Sequence, residues 1–257
     1  MIYEDKIELK QAKFLLENEG LANKLTNFLN KPLEKGLSLL PHEVMDKVQL
    51  YTNAALDKAL RFAIYTMDTT NDATPSNSKH KLAATISGGI GGFFGFTSAL
   101  VELPISTTIM LRSIAEIAKS HGEDLTDITS RLACLEVLAL GSNSEKSDTI
   151  ESSYFSLRVL LAKEISEAAK FITRKGIIEE GAPLLVKMLN TVSSKFGIAV
   201  SQKLAGMALP IVGSISGAAI NNLFIDHFQK TAEAHFTIRK LERKYGNEYV
   251  KQVFREL

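Results

Sequence analysis

The sequence predicts an all-α protein, a single multi-helix domain with two central, glycine-rich apolar helical hairpins. Apolar residues recur at helical spacing, for example at Val44, Val48, Tyr51 and Ala55. No stretch alternates strictly between apolar and polar residues over six or more positions, and the Asn-Gly and Asp-Gly pairs typical of β-hairpins are missing. The two hairpins are predicted from two long windows without charge, residues 82–101 and 204–225.

The composition is typical of a globular protein. Of the 257 residues, 45% are hydrophobic and 23% are charged, whereas disorder requires low hydrophobicity with high net charge. The 30 basic and 29 acidic residues nearly cancel, so no net field attracts nucleic acid as a partner. The single cysteine, Cys134, and an amino terminus without a long apolar run favour a reducing, cytoplasmic location and no signal peptide.

Helices are predicted across residues 1–68, with Pro32 and Pro41 marking helix starts or breaks. The polar run over residues 69–78 contains a central proline, so it predicts a loop. We therefore expect residues 1–80 to form amino-terminal helices that pack on a core of residues 81–257, in one continuous domain.

Further helices are predicted beyond the first window. Leu125, Ile128, Leu132 and Leu135 trace an amphipathic helix, residues 141–153 form a polar loop, and another helix covers residues 157–172. After residue 225 a charged amphipathic helix continues to about Tyr245, because a Gly-Asn pair follows as a helix stop. A short last helix completes the chain.

Each uncharged window is long enough to cross a bilayer core about 30 Å thick, but neither has the dense Leu, Ile, Val and Phe content of a spanning helix. Glycines four residues apart lie on one helical face and allow another backbone to approach closely. These pairs are Gly88 and Gly92, Gly91 and Gly95, and Gly213 and Gly217. Three interpretations stay open: hairpins of a soluble core, segments that contact lipid reversibly, and spanning helices.

No catalytic, cofactor or metal-binding motif is found in the sequence. Residues 88–95 contain neither G-x-G-x-x-G nor a P-loop, and residues 213–217 have isoleucine where a nucleophile elbow has serine. No two of the five histidines are three or four residues apart, so no helical metal site is predicted. We expect His227 and His235 to be exposed or to cap helices.

Two charged residues lie at the edges of apolar stretches, where an unpaired charge is costly. Glu102 and Arg112 either pair with each other across a bend at Pro104, or Arg112 binds the phosphate of a lipid headgroup through its guanidinium group. Asn221 lies four residues after Gly217 and therefore on the same helical face, where helix-to-helix hydrogen bonding is expected.

Three blocks of sequence resemble the EcsC family of bacterial proteins. They are the glycine-rich residues 88–95 with Glu102-Leu103-Pro104 and residues 111–125, residues 210–225, and residues 232–246. Residues 40–63 match the family's amino-terminal helices more loosely, so the resemblance begins near residue 30. The family usually has Asp where this chain has Glu102, which keeps the charge but lengthens its reach.

The resemblance implies a helical protein without an established enzymatic activity, from a family named after a gene that neighbours an ABC transporter. The family is also distantly similar to the senescence domain of spartin-like proteins, which associate with lipid surfaces. The leading hypothesis is therefore a non-enzymatic lipid-binding or peripheral membrane protein, such as a lipid carrier, at the inner face of the cytoplasmic membrane. The alternative is a helical protein that docks on a membrane transporter through residues 226–245, and an unrecognised enzyme is the third.

Lipid is expected to bind around residues 88–104 and 206–217. The candidate site residues are Gly88, Gly92, Gly95, Glu102, Pro104, Arg112, Gly213, Gly217, Asn221 and Arg239, with Lys203 as a further cation for the headgroup.

Overall fold

The computed structural model describes residues 1–17, 20–66, 96–142, 147–175, 183–209 and 216–257. Within these ranges the chain forms ten helices and no strand, so the all-α prediction is confirmed. Residues 82–95 of the first uncharged window, residues 210–215 of the second and the predicted loop over residues 69–78 lie outside the described residues. The two predicted hairpins are therefore described only in part.

The described helices differ widely in length, from one of seven residues to one of 30. In chain order they are α1 (Tyr3–Glu17), α2 (Leu21–Leu29), α3 (Leu33–Leu39), α4 (His42–Thr66), α5 (Phe96–Ser120), α6 (Ile128–Leu140), α7 (Ser147–Lys175), α8 (Pro183–Ala208), α9 (Ser216–Tyr245) and α10 (Asn247–Glu256).

The main core contains helices from both predicted parts of the chain, residues 1–80 and residues 81–257. Leu56 and Leu60 of α4 are buried in the same hydrophobic cluster as Leu111 and Ile114 of α5, and α4 packs extensively on α5. Phe228 of α9 is fully buried in this cluster as well. The described helices therefore form a single domain.

A second, smaller core brings the first and last helices together. It contains Leu9 of α1, Phe155 of α7, Ile238 of α9, and Val253 and Phe254 of α10. Aromatic packing contributes to it, since the rings of Phe155 and Phe254 meet edge to face with centroids 5.3 Å apart. Helices α6, α7, α9 and α10, which contribute to this core, also line a surface cleft.

Several helix boundaries follow the predicted signals. Pro32 precedes α3 and Pro41 precedes α4, as expected of residues that favour helix starts. Helix α9 ends at Tyr245, and Gly246 then adopts a φ of 88°, which glycine accepts without steric cost. The short last helix is α10.

One local prediction was wrong, and one proline lies inside a helix. Helix α7 begins at Ser147, inside the predicted polar loop, because serine and acidic residues also favour the first turn of a helix. Helix α5 continues through Pro104, the position where a bend was predicted. The ring removes one backbone hydrogen bond, and the Thr108 hydroxyl donates to the Pro104 carbonyl oxygen at 2.7 Å.

One glycine allows a close helix contact outside the two windows. A Cβ atom on Gly36 of α3 would lie 2.1 Å from the carbonyl oxygen of Ala205 in α8. The two backbones therefore touch here as the glycine pairs of the windows were expected to do.

Candidate functional site

Only some residues of the predicted lipid site are among those that the structure describes. Gly88, Gly92, Gly95 and Gly213 lie outside the described residues. Arg112 is exposed on α5, and its Nε lies 3.9 Å from Glu116 Oε1, one turn further along the helix. An ion pair of this length whose arginine is exposed contributes little to stability.

The pairing of Glu102 with Arg112 across a bend was wrong. Because α5 continues through Pro104 as a helix, the two residues are about 15 Å apart along its axis. Glu102 acts electrostatically on Lys203 of α8 instead. Burial lowers the pKa of Lys203 to about 8 although Glu102 opposes the shift, and its Nζ lies 5.0 Å from the centre of the Phe224 ring. Lys203 is thus a buried cation and does not present its charge at the surface.

The remaining predicted residues lie in different environments. Gly217 is half-buried in the first turn of α9, and Asn221, one turn later, is fully buried. Arg239 lies further along the same helix, where its Nε and Nη2 donate to the two carboxylate oxygens of Glu123 at 2.9 and 2.8 Å. Arg239 is therefore bound by a carboxylate of the protein. It also lines a second site, a charged cleft.

The cleft is formed by α6, α7, α9 and the start of α10, and has a volume of about 240 Å³. Apolar side chains of α6 and α7 form one part of its wall, and charged side chains form the rest. Its lining includes Glu136, Phe155, Arg158, Val159, Arg239 and Lys251. It therefore combines an apolar surface with a few convergent polar groups, as small-molecule sites do.

Glu136 is the central polar residue of the cleft. It lies on α6 in an otherwise apolar run, and only 3% of its surface is exposed. Its Oε1 is buried and has no hydrogen-bond partner within the described chain. Burial raises the pKa of Glu136 from its ordinary 4.5 to about 7, although Arg158 and Arg239 oppose the shift. Near neutral pH the carboxyl group is therefore divided between its two protonation states.

A histidine and a tyrosine lie behind Glu136. The Nε2 of His235 lies 3.7 Å from Glu136 Oε2, too far for a hydrogen bond, and its Nδ1 lies 3.1 Å from the Tyr154 hydroxyl oxygen. Burial lowers the pKa of His235 well below its ordinary 6.5, and the nearby Arg158 reinforces the shift, so the imidazole is neutral. His235 therefore shares one hydrogen bond with Tyr154 through Nδ1, and its Nε2 faces Glu136.

The prediction that His227 and His235 are exposed or cap helices was wrong for His235 and right in part for His227, which contacts the C-cap residue of α6. Both are buried, and the Nε2 of His227 lies 2.5 Å from the carbonyl oxygen of Gly141. Two-turn spacing along α9 places both imidazoles on the face that packs against α6 and the segment after it.

Ion pairs occupy the arginines of the cleft. Arg158 Nη1 and Nη2 donate to the two carboxylate oxygens of Glu242, both at 2.8 Å, and Arg239 is bound to Glu123 in the same way. Arg243 also donates to Glu123. These arginines have protein partners, so the cleft is not an open anion site.

A different surface feature lies on α1. Tyr3, Ile7 and Phe14 are exposed large apolar side chains, and at 100° per residue they fall within about 40° of one another around the helix. Lys6 and Lys10, both exposed, lie on one side of this stripe. The opposite face of α1 is the one buried against the second core.

Glu136, Tyr154 and Arg158 were not predicted from the sequence, and His235 was interpreted wrongly. One signal was available, because Glu136 is the only charge in residues 132–140, and the argument applied to Glu102 holds there too. The ion pairs gave no signal, since Arg158 and Glu242 are 84 residues apart.

The described residues offer neither a metal site nor a membrane-spanning helix. Nowhere in them do three or more His, Cys, Asp or Glu side chains form a group that could hold a metal ion. None of the helices in the described part of the chain is long and apolar enough to span a membrane.

Comparison with known proteins identifies the family. A sequence model of the EcsC protein family matches residues 4–241, so the resemblance is confirmed, and the match begins in α1 and not near residue 30. No curated protein and no solved structure matches the chain.

Proposed function

The chain belongs to the EcsC protein family, and we propose that it is a non-enzymatic protein that binds lipid reversibly as a peripheral membrane protein. The apolar stripe on α1, formed by Tyr3, Ile7 and Phe14, is the observation that carries this proposal. An aligned row of large apolar side chains in water is unfavourable unless another surface covers it.

The residues around the stripe favour a lipid surface as that cover. Amphipathic helices that lie in a membrane interface combine aromatic and aliphatic side chains with lysines beside them. Tyr3 and Phe14 are the aromatic members here, and Lys6 and Lys10 are positioned to meet anionic headgroups. The occupant we infer is therefore a bilayer surface containing anionic lipid.

Helix α5 gives secondary support. Ile105 is exposed, and Arg112 lies seven residues later, on nearly the same face of the helix. Both follow the first glycine-rich window, where lipid contact was predicted. A second lipid contact through Ile105 and Arg112 would agree with the hypothesis that lipid binds around residues 88–104.

The alternative of docking on a transporter through residues 226–245 has less support. It predicts an exposed apolar stripe on that helix, whereas Phe228, Phe236 and Leu241 of α9 are fully buried. No large apolar side chain described in α9 is exposed, so this helix serves the core.

Vesicle flotation of detergent-free protein tests the proposal. We expect binding to vesicles of phosphatidylglycerol and phosphatidylethanolamine, and weaker binding to phosphatidylcholine alone, because Lys6 and Lys10 attract anionic headgroups. Phe14→Glu places a charge within the stripe and should lower the bound fraction at least fivefold. Leu50→Glu is the matched control, since Leu50 of α4 is 66% exposed and Phe14 is 64% exposed.

Failure of the wild-type protein to bind any of these vesicles would overturn the proposal. Equal losses in Phe14→Glu and Leu50→Glu would remove α1 as the contact surface. Circular dichroism and thermal melting of both variants check that a loss of binding is not a loss of folding.

A further inference from the structure

The charged cleft contains a polar atom that the described protein does not satisfy. Glu136 lines the cleft, and its Oε1 is buried and accepts no hydrogen bond from the described residues. Burying a carboxyl oxygen without a partner costs free energy. A ligand that donates a hydrogen bond to this oxygen would recover that cost, so the cleft favours a donor group at this point.

The wall beside Glu136 is apolar. Phe155, Val159 and Ile165 of α7 line the cleft together with Ala133 of α6. Val159 stands at its mouth with 70% of its surface exposed. A molecule whose donor group reaches Glu136 would place its remaining atoms against this hydrocarbon surface.

The charges around the cleft select a neutral donor. Arg158 and Arg239 are held by carboxylates of the protein, so an anionic ligand would have to displace those partners. Lys251 and Glu248 add one charge of each sign on the α10 side, so an ammonium group would lose its hydration in a lining without excess negative charge. A hydroxyl group avoids both penalties, because it donates to Glu136 without bringing a charge.

The size of the cleft limits what it can enclose. Its volume of about 240 Å³ is below the range of roughly 300–1,000 Å³ for sites that enclose a drug-sized molecule. It is open on one side, however, so a longer molecule can enter with one end and leave the other outside.

We propose that this cleft binds the hydroxyl-bearing end of a neutral, lipid-like molecule, with the hydroxyl group on Glu136 and the adjoining chain against Phe155 and Val159. The assignment of the ligand as lipid-like rests on the proposed function, whereas the donor site and the apolar wall do not depend on it.

Isothermal titration calorimetry of the full chain with octan-1-ol, octanoate and octylamine tests the three possible head charges on one hydrocarbon chain. Octan-1-ol should bind with one-to-one stoichiometry, and the two charged probes at least tenfold more weakly. Glu136→Leu should weaken octan-1-ol binding at least tenfold, because the buried hydroxyl group then lacks a partner.

Two variants at exposed positions test the cleft without changing a buried residue. Val159→Lys places a charge at the mouth and should also weaken octan-1-ol binding at least tenfold. Leu160→Lys is its control, because Leu160 is the next residue, is 51% exposed, and does not line the cleft. It should bind octan-1-ol like the wild type.

Absence of saturable octan-1-ol binding would overturn the inference, and so would equal affinity for the three probes or wild-type binding by Val159→Lys. Vesicle flotation separates this result from the proposed function. A protein that binds vesicles but not octan-1-ol contradicts the cleft alone, whereas the opposite result contradicts the membrane proposal and leaves the cleft supported.

Discussion

The contact between Gly36 and Ala205 allows a quantitative test of the packing. In Gly36→Ala, the new Cβ atom would lie 2.1 Å from the Ala205 carbonyl oxygen and 2.7 Å from its carbonyl carbon. Both are backbone atoms, so no side-chain rotation relieves the overlap, and α3 and α8 must separate. Overpacking of this kind costs about 3 kcal/mol at the upper end of its usual range, while alanine regains about 1 kcal/mol of helix propensity.

The expected net loss in the free energy of unfolding is therefore about 2 kcal/mol, or roughly a 30-fold change in the folding equilibrium. Gly206→Ala is the matched control, because Gly206 follows Ala205 in α8 and its Cβ would meet only side-chain atoms at 3.5 Å or more. That variant should be as stable as the wild type or up to about 1 kcal/mol more stable.

Urea unfolding followed by circular dichroism at pH 7 measures both variants. Equal slopes against urea concentration would show that the difference lies in stability and not in the unfolded state. If Gly36→Ala were as stable as Gly206→Ala, the two backbones would not be in contact, and the placement of α3 on α8 would be wrong.

Two further predictions concern pH. The pKa of Glu136 is raised in the folded protein, so its ionisation destabilises the fold as pH rises from about 4.5 to 7. Glu136→Gln should therefore be more stable than the wild type by about 3 kcal/mol at pH 8.5 and nearly equal to it at pH 4.5. A stability difference that stays constant with pH in urea unfolding would refute this. Burial raises the pKa of Glu123, but the bonds and charges of Arg239 and Arg243 outweigh burial and hold it below its ordinary value. The ion pairs of Glu123 with Arg239 and Arg243 therefore stabilise the fold above about pH 4.5, and this stabilisation is lost at lower pH. Glu123→Gln should lower the free energy of unfolding by about 3 kcal/mol at pH 7 and by much less in acid, measured by urea unfolding.

The sequence predicted the helices well where the signals are local. Pro32, Pro41 and Gly246 act through their own backbone geometry, so their effect on helix boundaries could be predicted from position alone. Pro104 has the same local effect but did not end α5, because tertiary packing can keep a helix intact across one missing hydrogen bond. Local signals therefore give boundaries with exceptions at packed positions.

The cleft could not be predicted from such signals. Its ion pairs join residues far apart in sequence, and their chemistry depends on how α6, α7 and α9 pack. Glycine spacing was also an incomplete guide, since the close backbone contact at Gly36 comes from a single glycine of a short helix and not from a pair four residues apart. What a sequence does show is a charge in an apolar segment, and Glu136 has that pattern.

The cost of keeping Glu136 connects the stability predictions to the cleft. A buried ion pair is weak evidence for stability, and an apolar residue in the same position is often as good or better. Glu136 contributes even less to stability than a buried ion pair does. One of its oxygens has no hydrogen-bond partner in the described chain, and burial opposes its charge. Groups that reduce stability in this way concentrate at functional sites, where a ligand supplies the missing partner. If Glu136→Gln proves no more stable than the wild type above pH 7, the carboxyl group carries no such cost, and the argument for a hydroxyl ligand loses its premise even before a ligand is tested.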